Sequence, residues 1–274
     1  MKSTVIPTPE ILKNDVECIR ISEHDSNTRL AINVCLNGLP GIVFQHNNGY
    51  SPLENITTRF SSVASVPTLF VYGQMTEPGA MNYQPAPFKT TQVVLKPHAL
   101  QTLLGLNASV LTNSVVELSE FSGPYLNMQL FEARSDQERV NLITNFLATK
   151  LKQAKARDCL VEEGLHVIHQ NSRSVTVKYL LEHLSLSERQ FEKRFIQTVG
   201  LPPHFYIRVK RFNEALHLMK TGRFQKLTDV AHALNYYDQS HFIRDIKAFS
   251  GITPKNLTQK VDYEFEQKVY AYVT

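Results

Sequence analysis

One helical module is written twice in this chain, and few folds accommodate such a repeat. The first copy, TVKYLLEHLSLSERQFEKRFIQTVGLPP, runs from Thr176 to Pro203, and the second, KLTDVAHALNYYDQSHFIRDIKAFSGITP, from Lys226 to Pro254. Val177, Leu180, Leu181 and Leu184 fall at i, i+3, i+4 and i+7, and Leu227, Val230, Ala231 and Leu234 repeat the spacing. Each set is one apolar stripe on a short helix. A tight turn follows in each copy, Ser185-Leu186 or Asn235-Tyr236-Tyr237, and then a residue suited to cap a second helix, Ser187 or Asp238. Ser187 and Gln190 have the spacing of a capping box. Beyond the caps the copies run in step at an offset of 51, pairing Phe191 with Phe242, Phe195 with Ile246, Gly200 with Gly251 and Pro203 with Pro254. A helix, a turn and a capped second helix make a helix-turn-helix unit, here in tandem.

Charge follows the repeat. Residues 171–260 carry fifteen Lys and Arg against seven Asp and Glu, whereas residues 1–170 carry thirteen against fifteen. The basic excess is placed where a domain neutralising phosphates needs it. Between the copies, Phe205, Val209, Phe212, Leu216 and Met219 form an apolar seam on one long helix, with Arg208, Lys210 and Arg211 close by. That helix is expected to hold the two units at a fixed separation.

On these residues the stretch from about 173 to 258 resembles the DNA-binding domain of AraC/XylS-type bacterial transcription regulators. That family shows I-A-x-x-x-G-F-x-D-x-S-H-F-x-R-x-F-K-x-x-x-G-x-T-P in its second unit. This chain has Val230-Ala231, Tyr236, Asp238, Ser240-His241-Phe242, Arg244, Lys247, Gly251 and Thr253-Pro254, and Arg211, Ala215 and Leu216 match the connecting helix. Asn235 stands where the family has Gly; Asn is the non-Gly residue best suited to positive φ. Ile246 replaces a Phe and Leu257 an aromatic, both remaining apolar.

A recognition helix buries one face and offers the other to base edges in the major groove. With Phe191 and Phe195 inward, Arg189, Gln190, Glu192 and Lys193 face out, and the family's base-reading positions fall on Arg189, Glu192 and Lys193. With Phe242 and Ile246 inward, Gln239, Ser240, His241, Ile243 and Arg244 remain. Arg suits guanine, Glu cytosine, Gln adenine, and Ile243 a thymine methyl. Lys247 and the helix starts at Ser187 and Thr228 suit phosphates. The bland readings are a solvated surface for Glu192 and Lys193, a salt bridge for Arg211, and local capping or packing for Ser240 and His241.

The remaining chain is β-rich and then helical. GIVFQ (residues 41–45), TLFVYG (68–73) and TTQVVL (90–95) are short apolar runs bounded by Asn47-Asn48-Gly49, Glu77-Pro78-Gly79 and Pro85-Ala86-Pro87. Residues before about Asn33 are polar and mixed, with a strand expected at Val16–Ile21. Helices are expected after Pro97, after Pro124, from the capping pair Ser135 and Glu138, and over Cys159–His169. The fold class is therefore α+β in two domains: a β-rich N-terminal half with flanking helices over 1–170, an all-α domain of two helix-turn-helix units over 171–260, and a tail over 261–274 with no assigned role. The N-terminal half more distantly resembles the variable sensing domain of the same family, through GIVFQHNNGYSPL, VYGQMTEP and VVLKPHALQTLLGLNAS.

The family resemblance implies an effector-responsive activator, with double-stranded DNA and RNA polymerase as partners, and leaves a small-molecule effector and a homodimer open. Cys18, Cys35 and Cys159 have no paired spacing, and MKSTVIPTPEI lacks the apolar core of a signal peptide, so a reducing cytoplasm without membrane association is expected. Rivals remain: a partner-binding platform in the N-terminal half, or a metal-dependent cupin-like enzyme. For the latter His24, His46 and His98 are scattered, and only His166 and His169 share a helix face, so no metal, cofactor or catalytic residue is expected.

Overall fold

The computed structural model describes residues 1–154, 157–221, 224, 226–260, 263–265 and 269–273. Strands β1 (Lys2–Ile6), β2 (Val16–His24), β3 (Leu30–Val34), β4 (Gly41–His46), β5 (Leu53–Thr57), β6 (Ser62–Ala64), β7 (Leu69–Tyr72), β8 (Gly79–Tyr83) and β9 (Phe88–Leu95) open the chain. Helix α1 (Ala99–Leu104), β10 (Val115–Glu117), α2 (Ser119–Ser122), α3 (Tyr125–Glu132) and α4 (Asp136–Lys152) follow. With β11 (Tyr263–Phe265) and β12 (Val269–Val273) from the tail, the strands form two antiparallel sheets, ordered β1-β2-β9-β4-β7-β10 and β11-β12-β3-β8-β5-β6.

The three runs expected to be strands are β4, β7 and β9, adjacent at the centre of the first sheet. β7 and most of β4 are apolar because both faces are covered, whereas β9 sets Thr90, Thr91 and Gln92 before Val93, Val94 and Leu95. Ile42, Phe44, Leu69, Val71, Val93 and Leu95 meet α1, α3 and α4 through Leu100, Leu103, Leu130, Ile143 and Leu147. On the other face Val43 and Phe70 meet Leu30, Ile32, Leu53 and Tyr83 of the second sheet. The result is sheet, sheet, helix in three layers. Strands β3, β5, β6 and β8 of the second sheet are only three to five residues long, too short to stand out in the sequence.

Helix α4 starts at the expected cap, Ser135 Oγ accepting Glu138 N–H at 3.2 Å, but Glu138 Oε2 accepts the N–H of Arg134, one residue before the cap, at 2.8 Å, so the return bond of a capping box is displaced by one residue. Helix α5 (Cys159–Gln170) lies against the first repeat unit, where Gly164 leaves room for the Phe191 ring. Two helical cores follow. One gathers Val161, Ile168, Leu180, Phe191, Phe195 and Tyr206; the other gathers Val209, Phe212, Leu216, Val230, Phe242, Ile246 and Phe249.

The C-terminal tail returns to the N-terminal half. Strand β12 (Val269–Val273) pairs antiparallel with β3, setting Ala271 opposite Val34 and Tyr272 opposite Asn33, and β11 (Tyr263–Phe265) extends the sheet from β12. Residues 261, 262, 266–268 and 274 of the tail lie outside the described residues.

At the start of α5 a buried ion cluster ties the chain's beginning to the helices. Asp15, fully buried, receives Arg157 Nη2 at 2.6 Å and lies 3.4 Å from His98 Nε2, while Arg157 also reaches Glu162 at 3.3 Å. Burial opposes the Asp15 charge, but the nearby His98 ring and the Arg157 guanidinium outweigh it and hold the carboxyl below its ordinary 3.8. A carboxyl held low in the folded state contributes stability that is present above 3.8 and is lost as pH falls through the lower folded value. Asp15→Asn is expected to cost about 3 kcal/mol at neutral pH, because Arg157 loses its buried partner. The variant should also lose less stability than wild type between neutral and strongly acidic pH. Urea titrations of both proteins at several pH values check this.

Candidate nucleic-acid interface

Each repeat unit is built from its caps outward. Helix α6 (Val177–Leu184) begins where Thr176 Oγ1 accepts Tyr179 N–H at 3.2 Å, and the chain turns at Ser185, whose φ is +53°. Helix α7 (Glu188–Val199) follows, with Gln190 Oε1 accepting Ser187 N–H at 3.4 Å and the Ser187 hydroxyl at 2.9 Å. In the second unit α9 (Leu227–Ala233) turns through Asn235, whose φ is +54°, so the residue standing in the family's Gly position does take the left-handed conformation. Helix α10 (Gln239–Ser250) then starts where Asp238 Oδ1 accepts His241 N–H at 2.7 Å. Both second helices end on a left-handed glycine, Gly200 and Gly251.

The first helix of the second unit starts at Leu227, capped by Lys226, rather than at Thr228. Asp229 Oδ2 accepts Lys226 N–H at 3.2 Å, so a carboxylate already occupies that helix start. This makes it a poor seat for phosphate.

The apolar undersides are closed: Phe191, Phe195, Phe242 and Ile246 have no exposed surface. On the opposite face Arg189, Gln190, Glu192 and Lys193 of α7 are exposed, as are Gln239, Ser240, Arg244 and Lys247 of α10. His241 and Ile243 are half-buried. His241 sets its ring edge-on to Tyr236 at 5.5 Å, and Ile243 packs against the second unit's core. Arg244 Nε folds back to Ser240 O at 3.4 Å. Among the described residues Arg189, Lys193, Arg244 and Lys247 form no ion pair.

Other cations of the domain are engaged internally. Arg208 pairs with buried Asp245 at 2.7 Å and stacks over Phe249 at 5.2 Å, Arg173 reaches Glu214 at 2.5 Å, and Arg194 reaches Asp158 at 3.5 Å. Arg211 lies over the Tyr236 ring at 5.7 Å, so the structural salt bridge belongs to Arg208. One residue escaped sequence reasoning. Tyr237, in the turn before α10, is 93% exposed, and an aromatic residue inside a turn gave no signal that it would point outward.

Helix α8 (Pro203–Lys220) joins the units, with Pro203 in its first turn. The expected seam is buried or half-buried, and Tyr206, Ile207 and Leu218 are buried as well, because α8 packs against both units and against the N-terminal half. Both reader helices rest on that half by their C-terminal ends. Thr198 Oγ1 donates to Gln101 Oε1, and Thr112 Oγ1 to Gly200 O, each at 2.7 Å. Leu36 N–H donates to Phe249 O at 3.0 Å, and Tyr272 Oη to Ser250 O at 3.1 Å. The exposed polar residues Arg189, Gln190, Glu192 and Lys193 of α7 and Gln239, Ser240, Arg244 and Lys247 of α10 lie on the faces away from these contacts. No group of three His, Cys, Asp or Glu able to hold a metal stands together among the described residues, and none of their helices is long and apolar enough to cross a membrane.

A side chain at either terminal glycine meets a left-handed backbone, a penalty of about 1–2 kcal/mol. At Gly200 an added Cβ would also stand 3.0 Å from the Ala108 carbonyl, whereas at Gly251 the nearest atom is 3.6 Å away. Gly200→Ala should therefore destabilise the protein more than Gly251→Ala in urea unfolding, and equal losses would deny the close docking of α7.

Comparison with known proteins places these features. Residues 180–260 match a family described as "Helix-turn-helix domain", and residues 4–117 match one described as "Domain of unknown function (DUF6597)". Over 95 residues the chain is 30% identical to the F1 operon positive regulatory protein of Yersinia pestis, a match covering 35% of this chain and 30% of that protein. The chain thus spans under a third of that curated relative's length in the match. The solved structure of ToxT from Vibrio cholerae is similar in fold, with a TM-score of 0.50 at 12% identity, covering 88% of this chain and 97% of ToxT. The chain thus carries a helix-turn-helix domain over residues 180–260, and over most of its length it has the same overall fold as ToxT.

Proposed function

We propose that the protein is a sequence-specific DNA-binding transcription regulator, an activator whose N-terminal half (1–170) senses an effector and whose domain at 171–260 reads DNA. The observation that carries this reading is the pair of exposed faces on α7 and α10, bearing Arg189 and Lys193 on the first and Arg244 and Lys247 on the second, each backed by a closed apolar underside. Activation is supported by the Yersinia relative, whose name describes a positive regulator. As an activator the protein would contact RNA polymerase while bound, as a monomer or as a homodimer.

Arg189, Gln190, Glu192 and Lys193 would read one major-groove segment, and Gln239, Ser240 and Arg244 the next, about one helical turn or ~34 Å along. Two different reading faces in one chain suit a site without a dyad. His241 and Ile243 contribute less to base contact, since His241 caps and packs locally and Ile243 leans into the core.

Selection of bound duplexes from a random pool by the full chain, repeated with Arg189→Ala and Arg244→Ala, tests the assignment. Each substitution is expected to cost about 1–3 kcal/mol and to relax preference at a different part of the site. Identical shifts from both variants, or no selected sequence at all, would sink it. Lys247→Ala should instead weaken binding evenly across sequences and lower the salt slope by about one, as fluorescence anisotropy at graded salt would show.

A further inference from the structure

The turns of the two units begin alike and end differently. Ser185 and Asn235 both take positive φ, +53° and +54°. Ser185 N–H donates to Glu182 O and Asn235 N–H to His232 O, so both bonds close over the same span. The next residues also match: Leu186 N–H donates to Leu181 O at 3.2 Å, and Tyr236 N–H to Ala231 O at 3.0 Å. Leu186 and Tyr236 then both pack into the core of their own unit. In the first unit the cap Ser187 follows at once. In the second, one further residue, Tyr237, stands before the cap Asp238.

Packing does not use the added residue. Its side chain is 93% exposed and forms no hydrogen bond or ring contact within the described residues. Its neighbours, by contrast, are fixed. Asn235 Nδ2 donates to Arg173 O at 3.3 Å, the Tyr236 ring lies against Arg211, His241 and Phe242, and Asp238 Oδ1 accepts His241 N–H at 2.7 Å. The backbone at Tyr237 is thus clamped from both sides, and its side chain projects outward. A rigid aromatic group on a fixed backbone loses little freedom when it meets a partner.

We propose that Tyr237 contacts DNA, its phenol hydroxyl donating to a backbone phosphate at the rim of the major groove. The inference rests on reading α10 as the helix that enters that groove. The start of such a helix meets base edges. Phosphates line the walls of the groove, so a long side chain rooted just ahead of the helix reaches the backbone. Tyrosine hydroxyls are among the regular donors to phosphate. The cap favours a donor held off the helix start: the Asp238 carboxylate occupies that start and repels a phosphate seated directly on it. The first unit has no counterpart, since Leu186 turns inward and Ser187 caps directly. The contact therefore exists at one end of the site only, and it fixes register there without reading sequence.

Fluorescence anisotropy on a duplex selected by the full chain tests this with Tyr237→Phe, which removes one oxygen from an exposed ring. The variant should bind about tenfold more weakly, because a hydrogen bond to a charged group is lost. Its dependence on salt should keep the wild-type slope, because a neutral phenol releases no counterion. That distinguishes Tyr237 from Lys247, whose loss lowers the slope. Base preference and unfolding temperature should stay as in wild type. Ethylation of single phosphates locates the contact: one position that interferes with wild-type binding should cease to interfere with Tyr237→Phe. Equal affinity of Tyr237→Phe and wild type overturns the proposal, even if Tyr237→Ala is weaker, for then the ring and not the hydroxyl matters. A lowered salt slope, an altered base preference or an unchanged ethylation pattern overturns it too. Equal affinity with a loss of activated transcription would assign Tyr237 to a protein partner instead. A wild type that selects no duplex removes the reading of DNA itself, whereas a wild type that selects one and is matched by Tyr237→Phe removes this contact alone.

Discussion

Burial of the aromatic underside of the two reader helices is the interaction on which the rest depends. Phe191 and Phe195 on α7, and Phe242 and Ile246 on α10, are removed from water altogether. Each such side chain contributes about 1.5–3 kcal/mol of transfer free energy. A helix of twelve residues with one face so fixed has no rotational freedom left, so the orientation of Arg189, Lys193 and Arg244 follows from the phenylalanines behind them. The polar face is set by what the apolar face must do.

The same logic extends to the connection between units. Helix α8 is apolar on more of its circumference than a helix joining two free modules would be, because α7 and α10 pack on it from two sides and the β3–β4 segment from a third. Arg208 and Asp245 close this arrangement with a pair that is buried on the carboxylate side. The basic residues of the domain thus divide by geometry. Those near α8 neutralise buried acids or stack on rings, and Arg189, Lys193, Arg244 and Lys247 on the outer faces of α7 and α10 remain toward solvent, where phosphates and bases can reach them.

Much of this was legible in order along the chain. Capping pairs at Ser135, Ser187 and Asp238 and the repeated apolar spacing mark α4, α6, α7, α9 and α10, since these signals are local and the helix period is short. Strands β4 and β7 were legible because two-sided burial writes a nearly unbroken apolar run, and β9 because it is rich in β-branched residues. Strands β1, β3, β5 and β8 were not, because runs of only five residues, broken by polar positions such as Asn33, Glu54 and Asn82, read as coil. The exposed site residues followed from subtraction once the buried face was known. Half-burial of His241 and Ile243 could not, since it depends on how far Tyr236 and the second core extend around the helix.

What the sequence by itself determined is the tandem reader: its periodicity, caps, glycine stops and charge are all written within stretches of about thirty residues. Tertiary structure alone decided how that reader is held. The pairing of β12 with β3, the seating of α8 on Asn37 and the Asp15–Arg157 cluster each join residues far apart in the chain. Such contacts depend on which surfaces close packing brings together, and no short-range pattern encodes that partnership.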